Sequence, residues 1–487
     1  MNIEIISRES LNMLLQKGAT YADIRLHLFD KVETIGTLCG TVDAQTTSEN
    51  QGFGIRVLYR GAWGFATSTS FSDISVMAEK ALKNAQESSR LVSTPAKLLS
   101  KPSLSGHYKT PSEIDPFSIP MTDRVAYFLD LDHRIKRNGL SYWGSSGAFY
   151  KREIIFMDTE GSIIQKNLLD VEGSLYCFGN DNNSQQHRRS HNLFYDANGT
   201  TGWETFLNPL LFSSHSERIS EDLLDLLNAP SCEKMTTNLV ILNSQMALQT
   251  HETIGHALEL DRILGYELSY AGGSFVNLMD FDQLTYGSDK LTVFADGTIQ
   301  NSPGSFGYDD DGVQAKKTVL IENGVLKDAI TSRQMASEAN RITDKTLFKE
   351  SGGANRASSY NRIPIERMTN INIAAGNDGD LNEIVKNCET GLLVDSPLSW
   401  SIGSNRENFH FACEAGWLIK DGKIGKMVKS PSYSGETLPF WKSLDKVGNE
   451  ETWRLEVVYN CGKGQPNQIM RLGHGVPVCL FKNVQVG

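Results

Sequence analysis

An apolar run, Leu239-Val240-Ile241-Leu242, is followed by Asn243-Ser244 and then by a helical stretch from Gln245 to Leu260. The pattern reads as strand, N-cap and helix. That helix carries His251-Glu252-Thr253-Ile254-Gly255-His256, two histidines five residues apart. The spacing leaves little geometric freedom. At ~3.6 residues per turn, it sets the two imidazoles roughly 140° apart around an ideal α-helix. The rings reach one common point only where the helix is locally widened into a π-turn, a feature frequent at functional sites. Gly255 is expected to ease such a distortion.

Two imidazoles with a carboxylate beside the first are the parts a metal-dependent hydrolase needs. The imidazoles hold an ion, and the carboxylate takes a proton from water. The familiar zinc-protease pattern spaces its histidines four apart on one helical face, so this HExxxH run is a variant of it. With ten histidines in the chain, roughly 0.01 such matches arise by accident. The bland alternative, two unrelated histidines on an amphipathic helix, is the weaker reading. A third ligand is required. Glu259 and Asp261 lie within two turns of His256, as ligands or as acceptors that orient the imidazole N–H groups. Cys461, in the Gly-rich turn Asn460-Cys461-Gly462-Lys463-Gly464, competes with Cys479, Cys413 and Cys388, and residue type alone does not choose among them.

Composition excludes several classes. Lys and Arg number 47 against 58 Asp and Glu, a net charge of −11. An acidic chain without a concentrated basic face is not built for nucleic acid as its main partner. No window approaches ~18 consecutive apolar residues, so no membrane span is expected. Charged residues interrupt the N-terminal apolar positions Ile6, Leu11, Leu14 and Leu15, which fit one face of a short helix rather than an export signal. Seven scattered cysteines without a CxxC pair fit a reducing compartment, and a cytoplasmic location is expected.

The fold class expected is α+β in two domains. Residues 1–230 form an N-terminal mixed domain, and residues 231–487 a domain of mainly antiparallel strands carrying the HExxxH helix. In the first, Ala22–Leu28 alternates as a half-buried strand, and a hairpin turns at Arg60-Gly61. Helices are expected over 74–91, 122–138 and 216–228, and strands over 140–195 with a polar, mobile loop at 180–184. Five prolines between Pro95 and Pro120 mark an extended strap. Tyr308-Asp309-Asp310-Asp311 reads as a solvated turn, and Gly352-Gly353-Ala354-Asn355-Arg356 as lining of a cleft.

His251-Glu252-Thr253-Ile254-Gly255-His256-Ala257-Leu258-Glu259-Leu260-Asp261 resembles the HExxGHxxExD signature of the TldD/PmbA metallopeptidases, once called modulators of DNA gyrase. Similarity extends to Ala22–Arg25, Gly54–Val57, Trp63–Ala66, Tyr308–Gly312, Leu320–Leu326, Arg367–Asn370, Gly416–Lys423 and Cys461–Gln465, essentially the whole chain. Ser399–Asn405 and Gln465–Gly473 match the pattern only loosely. The resemblance implies a zinc-dependent peptidase for flexible or unfolded polypeptides. His251, His256 and Cys461 would be its Zn²⁺ ligands and Glu252 its general base. It also implies a narrow cleft in a homodimer, or in a heterodimer with a homologous subunit, where an extended substrate pairs with a strand edge. The intact motif resembles the catalytic, TldD-like member. Arg362, Arg356 and backbone N–H groups are candidates for stabilising the transition-state oxyanion. The alternative is a non-enzymatic adaptor that keeps the fold, needs no metal and holds a small protein partner such as a toxin or antitoxin.

Overall fold

The computed structural model describes residues 3–196 and 198–487. Strands Tyr21–Leu38, Thr41–Tyr59, Ala62–Ser68, Ser105–Lys109, Tyr142–Asp158, Ile163–Asn180 and Gln186–Asn192 form one seven-stranded sheet. The turn between its second and third strands is Arg60-Gly61, with φ +49° and +76°. Two successive left-handed residues are what a two-residue type I′ hairpin requires. Gly61 is needed for space as well, because a Cβ there would lie 2.3 Å from Pro95. The proline-rich strap thus begins by packing on this hairpin. Between Pro102 and Pro111 it contributes Ser105–Lys109 to the sheet edge, parallel to Ile163–Asn167, where proline's missing N–H is tolerated.

Helices Ile3–Gln16 and Ile74–Ser88 cover one part of this sheet, burying Leu11, Leu14, Ala81 and Ala85 against Ile24, Leu26, Ile55 and Val57. Helices Met121–Ile135 and His215–Asn228 bury Phe128, Leu131, Leu223 and Leu226 against Phe149, Val171 and Leu175. Ala415, Leu455 and Val457 from the C-terminal half complete that second cluster.

A second seven-stranded sheet contains Met235–Ile241, Thr390–Ile402, Asn408–Lys420, Lys423–Lys429, Ser432–Glu436, Leu444–Val447 and Cys479–Val486. Its pairings are antiparallel except that Met235–Ile241 runs parallel to Thr390–Ile402. Pairing of Thr390–Ile402 with Asn408–Lys420 closes five of these strands into a ring. Arg454–Lys463 and Gln468–Val476 form a separate two-stranded sheet. Among the described residues no helix is long and apolar enough to cross a membrane.

Buried charge joins the two halves. Arg189 is fully buried, with Asp395 at 2.7 Å and Glu414 at 3.4 Å. Glu414, equally buried, accepts from Arg188 Nε at 2.6 Å and from Ser190 N at 2.8 Å. Farther along, Arg56 bridges Asp23 and Asp311, and Lys166 bonds Asp310 at 2.9 Å. This corrects the expectation of a solvated turn at Tyr308–Asp311: Asp309, Asp310 and Asp311 are all buried. Cations on the N-terminal sheet face two of them, while Asp309 accepts the N–H groups of Asp311, Val313 and Asn355. Burial and Asp311 push Asp309 up to about 7. The loop at 180–184 is likewise pinned, because buried Asp181 accepts from Asn183 N, Gln185 N and Lys429 Nζ.

Removing one partner of a buried ionic group leaves the other unpaired, at a cost of about 3–5 kcal/mol. Glu414→Ala is therefore expected to lower the urea unfolding midpoint clearly. An unchanged midpoint would show that the ionic cluster does not hold the halves together.

Candidate metal centre

The helix after Met235–Ile241 begins at Asn243, two residues earlier than its sequence signals suggest, with Leu242 at the N-cap position. Asn243 serves another purpose. Its side-chain amide donates to Thr452 O and Val476 O, both at 2.7 Å, and ties the helix start to the two-stranded sheet. Nor does the helix run unbroken to Leu260. The α-helix ends at Thr250, His251–Gly255 is a π-turn, His256–Leu258 a 3₁₀ turn, and Glu259 is extended. The widened turn that the five-residue spacing demands is present. Widening changes the hydrogen-bond partners of the turn, and Thr253 collects outside ones. Tyr286 donates to its carbonyl, and Trp441 Nε1 donates to its hydroxyl at 2.9 Å. Gly255 itself has ordinary helical angles, φ −54° and ψ −59°. The glycine is required for clearance instead: a Cβ would lie 2.3 Å from Sδ of buried Met368.

The turn brings His251 and His256 together with Cys461, whose strand is irregular between Val458 and Cys461. One ligand atom from each of the three lies within 4.8 Å of the others. All three are buried, at 3%, 5% and 4% exposure. Cys461 Sγ is 3.7 Å from His256 Nε2, and Arg367 Nη2 donates to the Cys461 carbonyl at 2.6 Å. Cys388, Cys413 and Cys479 do not join this group.

Hydrogen bonds set which ring nitrogen is free. His256 Nδ1 donates to Glu259 Oε2 at 2.9 Å, which leaves the Nε2 lone pair facing the cysteine. For His251 the argument has two steps. His474 Nδ1 donates to the Ile371 carbonyl at 3.1 Å, so its Nε2 is an acceptor. His251 Nδ1 then donates to His474 Nε2 at 2.8 Å, and the His251 Nε2 lone pair is free. A carbonyl thus fixes two successive tautomers. The sequence reading missed His474; its only signal is a histidine between two glycines near the chain end.

Electrostatics favour the ligating forms. Burial pulls His251 and His256 below the ordinary imidazole pKa, which keeps them neutral. Burial raises the Cys461 thiol, but a proton on His256, and then Arg367, outweigh it and bring the pKa below the usual value; with His256 neutral, Arg367 is the one of the two that favours the thiolate. Glu259 and Asp261 stand behind the cluster. Burial pushes Glu259 up, yet Lys463, His256 and Arg262 together hold it well below the usual carboxylate range. Asp261 bonds Lys463 Nζ at 2.7 Å. Two neutral nitrogens and a thiolate suit a borderline-soft ion such as zinc and leave a tetrahedral position open.

The three residues and Glu252 line a cleft of about 1320 Å³. Glu252, unlike them, is partly exposed. Neither Arg356 nor Arg362 lines this cleft. Arg356 is spent on the carbonyls of Met368 and Pro303, and Arg362 opens onto two other cavities. The loop 352–356 also lies away from it, with Asn355 facing one of those cavities.

Residues 235–487 match the PmbA/TldA metallopeptidase C-terminal domain, and residues 40–85 match domain 1 of the same metallopeptidases. A metalloprotease of Methanocaldococcus jannaschii is 29% identical over 489 residues, covering 97% of both chains. A zinc metalloprotease TldD homolog of Saccharolobus solfataricus is 25% identical over 254 residues, 51% of each chain. The crystal structure of a modulator of a DNA gyrase from Thermotoga maritima superposes with a TM-score of 0.74 at 14% identity, over 99% of this chain and 100% of that one. That last likeness concerns the fold alone. With more than half its length matched by one of the family's domains, the chain belongs to the PmbA/TldD metallopeptidase family.

Proposed function

We propose that this protein is a zinc-dependent peptidase acting on flexible or unfolded polypeptides, with His251, His256 and Cys461 as zinc ligands and Glu252 as general base. The observation that carries this reading is the convergence of three oriented donor groups beside a partly exposed carboxylate in one cleft. The relative named as a zinc metalloprotease supports the choice of ion. When bound, zinc would polarise the scissile carbonyl and lower the pKa of water toward ~7.

The chain's own groups do the rest. Glu252 accepts a proton from the attacking water and returns it to the leaving amide nitrogen as the C–N bond breaks. Glu259 and His474 keep the two imidazoles in the tautomers that face the ion. Residues 456–462, on the strand that carries Cys461, lie along the cleft. That strand pairs in a ladder only with Gln468–Val476 among the described residues. Its other edge is suited to an extended chain added by main-chain hydrogen bonds, a mode that tolerates many sequences. Exposed Trp400 on the cleft wall, with Leu207 and Leu210 exposed elsewhere, supports a homodimer or a heterodimer with a homologous subunit. The free state of all seven cysteines supports work in the cytoplasm.

Glu252→Gln is expected to retain zinc while its rate on an unfolded casein substrate falls about 10²–10⁴-fold; a fully active, zinc-loaded variant would exclude the general-base role. Cys461→Ser should lose zinc during dialysis that the wild-type protein survives. His474→Ala is expected to weaken zinc binding roughly 10–100-fold in a chelator competition, and His474→Gln, which keeps an acceptor, to recover part of it. Equal affinity in all three proteins would remove His474 from the site.

A further inference from the structure

We infer that Arg406 is a catalytic residue that stabilises the oxyanion formed during peptide hydrolysis, a role that rests on the peptidase reading above. Water adds to the scissile carbonyl carbon and yields one proton to Glu252. The carbonyl π electrons move onto oxygen, which becomes an anion. Its collapse breaks the C–N bond, nitrogen recovers the proton from Glu252, and an amine and a carboxylic acid leave. A cleft that accelerates this sequence needs a fixed donor where the oxygen's charge develops.

Five arginines line the cleft: Arg188, Arg218, Arg262, Arg406 and Arg454. Three are already engaged and one is stacked. Arg188 holds Glu414 at 2.6 Å and the Pro397 carbonyl at 2.8 Å. Arg262 holds Glu259 at 2.7 Å. Arg218 donates to His215 Nδ1 at 3.0 Å. Arg454 lies over the Phe194 ring at 5.0 Å.

Arg406 differs from these. It is only 9% exposed. Its Nη1 donates to the Ser404 carbonyl at 2.9 Å and to the Gly273 carbonyl at 3.4 Å, while Nε is buried with no partner. Its hydrogen bonds go to neutral carbonyls, and none to a carboxylate. Burial and neighbouring Arg262 work against its charge, while Glu252 and Glu259 are among the acids that favour it. It therefore shares the electrostatic neighbourhood of the proposed base. A buried cation with no direct anionic partner is costly, and an oxyanion arising within the same cleft would supply the missing partner.

The backbone holds the side chain ready. Arg406 has φ +65°, a left-handed conformation uncommon for a residue with a Cβ. Its N–H donates to Gly403 O at 2.8 Å, and the preceding Asn405 N–H donates to Glu407 Oε2 at 2.9 Å. Thr437 Oγ1 donates to the Arg406 carbonyl. Strain of this kind, held by the surrounding structure, is characteristic of residues positioned for function.

The test uses the zinc-loaded full chain, a fluorogenic peptide that the wild-type protein cleaves, and the phosphinic analogue of that peptide. Arg406→Met is expected to reduce kcat about 10²–10³-fold at full zinc content, with KM little changed. Phosphinate affinity, read by calorimetry, should fall by a comparable factor. Binding of the uncleaved peptide in a Glu252→Gln background should not. Arg406→Lys should recover part of both losses. Unchanged kcat and phosphinate affinity in zinc-loaded Arg406→Met would overturn the role, as would a rate loss explained by lost zinc. If the wild-type protein neither cleaves peptides nor binds the phosphinate, the peptidase reading fails and this role falls with it. If the wild-type protein cleaves and the Arg406 variants match it, only the role of Arg406 fails.

Discussion

The buried carboxylate of Glu259 is the point on which the site's separate pieces meet. One of its oxygens accepts from His256 Nδ1 and from Arg262 Nε. The other lies 3.2 Å from Lys463 Nζ, two residues beyond Cys461. Arg262 in turn donates to the Ala271 carbonyl. The metal-helix turn, the cysteine's strand and the loop at residue 271 are therefore held by one anion. Burying a carboxylate is expensive unless its charge is matched, and here two cations and an imidazole N–H match it. Their geometry is consequently tied to that of Glu259. Any shift of the strand that separates Lys463 from Glu259 also moves Cys461 away from His256.

The same economy of charge runs through the rest of the interior. Burial pulls the two imidazoles toward neutrality, while a proton on His256, and Arg367, draw the thiol toward its anion. Elsewhere, Arg189 and Arg56 join the halves of the molecule through acids that lie far away in sequence. Cores built from aliphatic side chains supply the bulk of the stability. The buried ions add a requirement for one particular alignment of the two halves.

Much of this was legible in the sequence, and what was not has a common cause. Alternation exposed the strand at Ala22–Leu28, and Arg60-Gly61 marked the hairpin, because both are local patterns. The five-residue histidine spacing demanded a π-turn, and the turn is there. Its supports were invisible: Tyr286 and Trp441 reach Thr253 from 33 and 188 residues away. Gly255 drew attention for flexibility, whereas Met368 makes it a matter of clearance. Asp309–Asp311 looked like a solvated turn because the cations that bury two of its acids come from another sheet. Arg406 escaped notice for a similar reason. It directly follows Ser399–Asn405, which matches the family pattern only loosely, and only the fold shows which buried arginine in the cleft remains without a direct charge partner.

Cys461 follows His251 by 210 residues. At translation rates of about 5–20 residues per second, the cysteine leaves the ribosome some ~10–40 s after the histidine turn. Of the two strands beside Met235–Ile241, which leads into that turn, Thr390–Ile402 also follows it in the chain and Cys479–Val486 comes later still. During synthesis the two histidines therefore lack their cysteine partner until residue 461 has emerged. The buried cluster is thus assembled from segments made far apart in time, and its geometry waits on the late-emerging strand Arg454–Lys463.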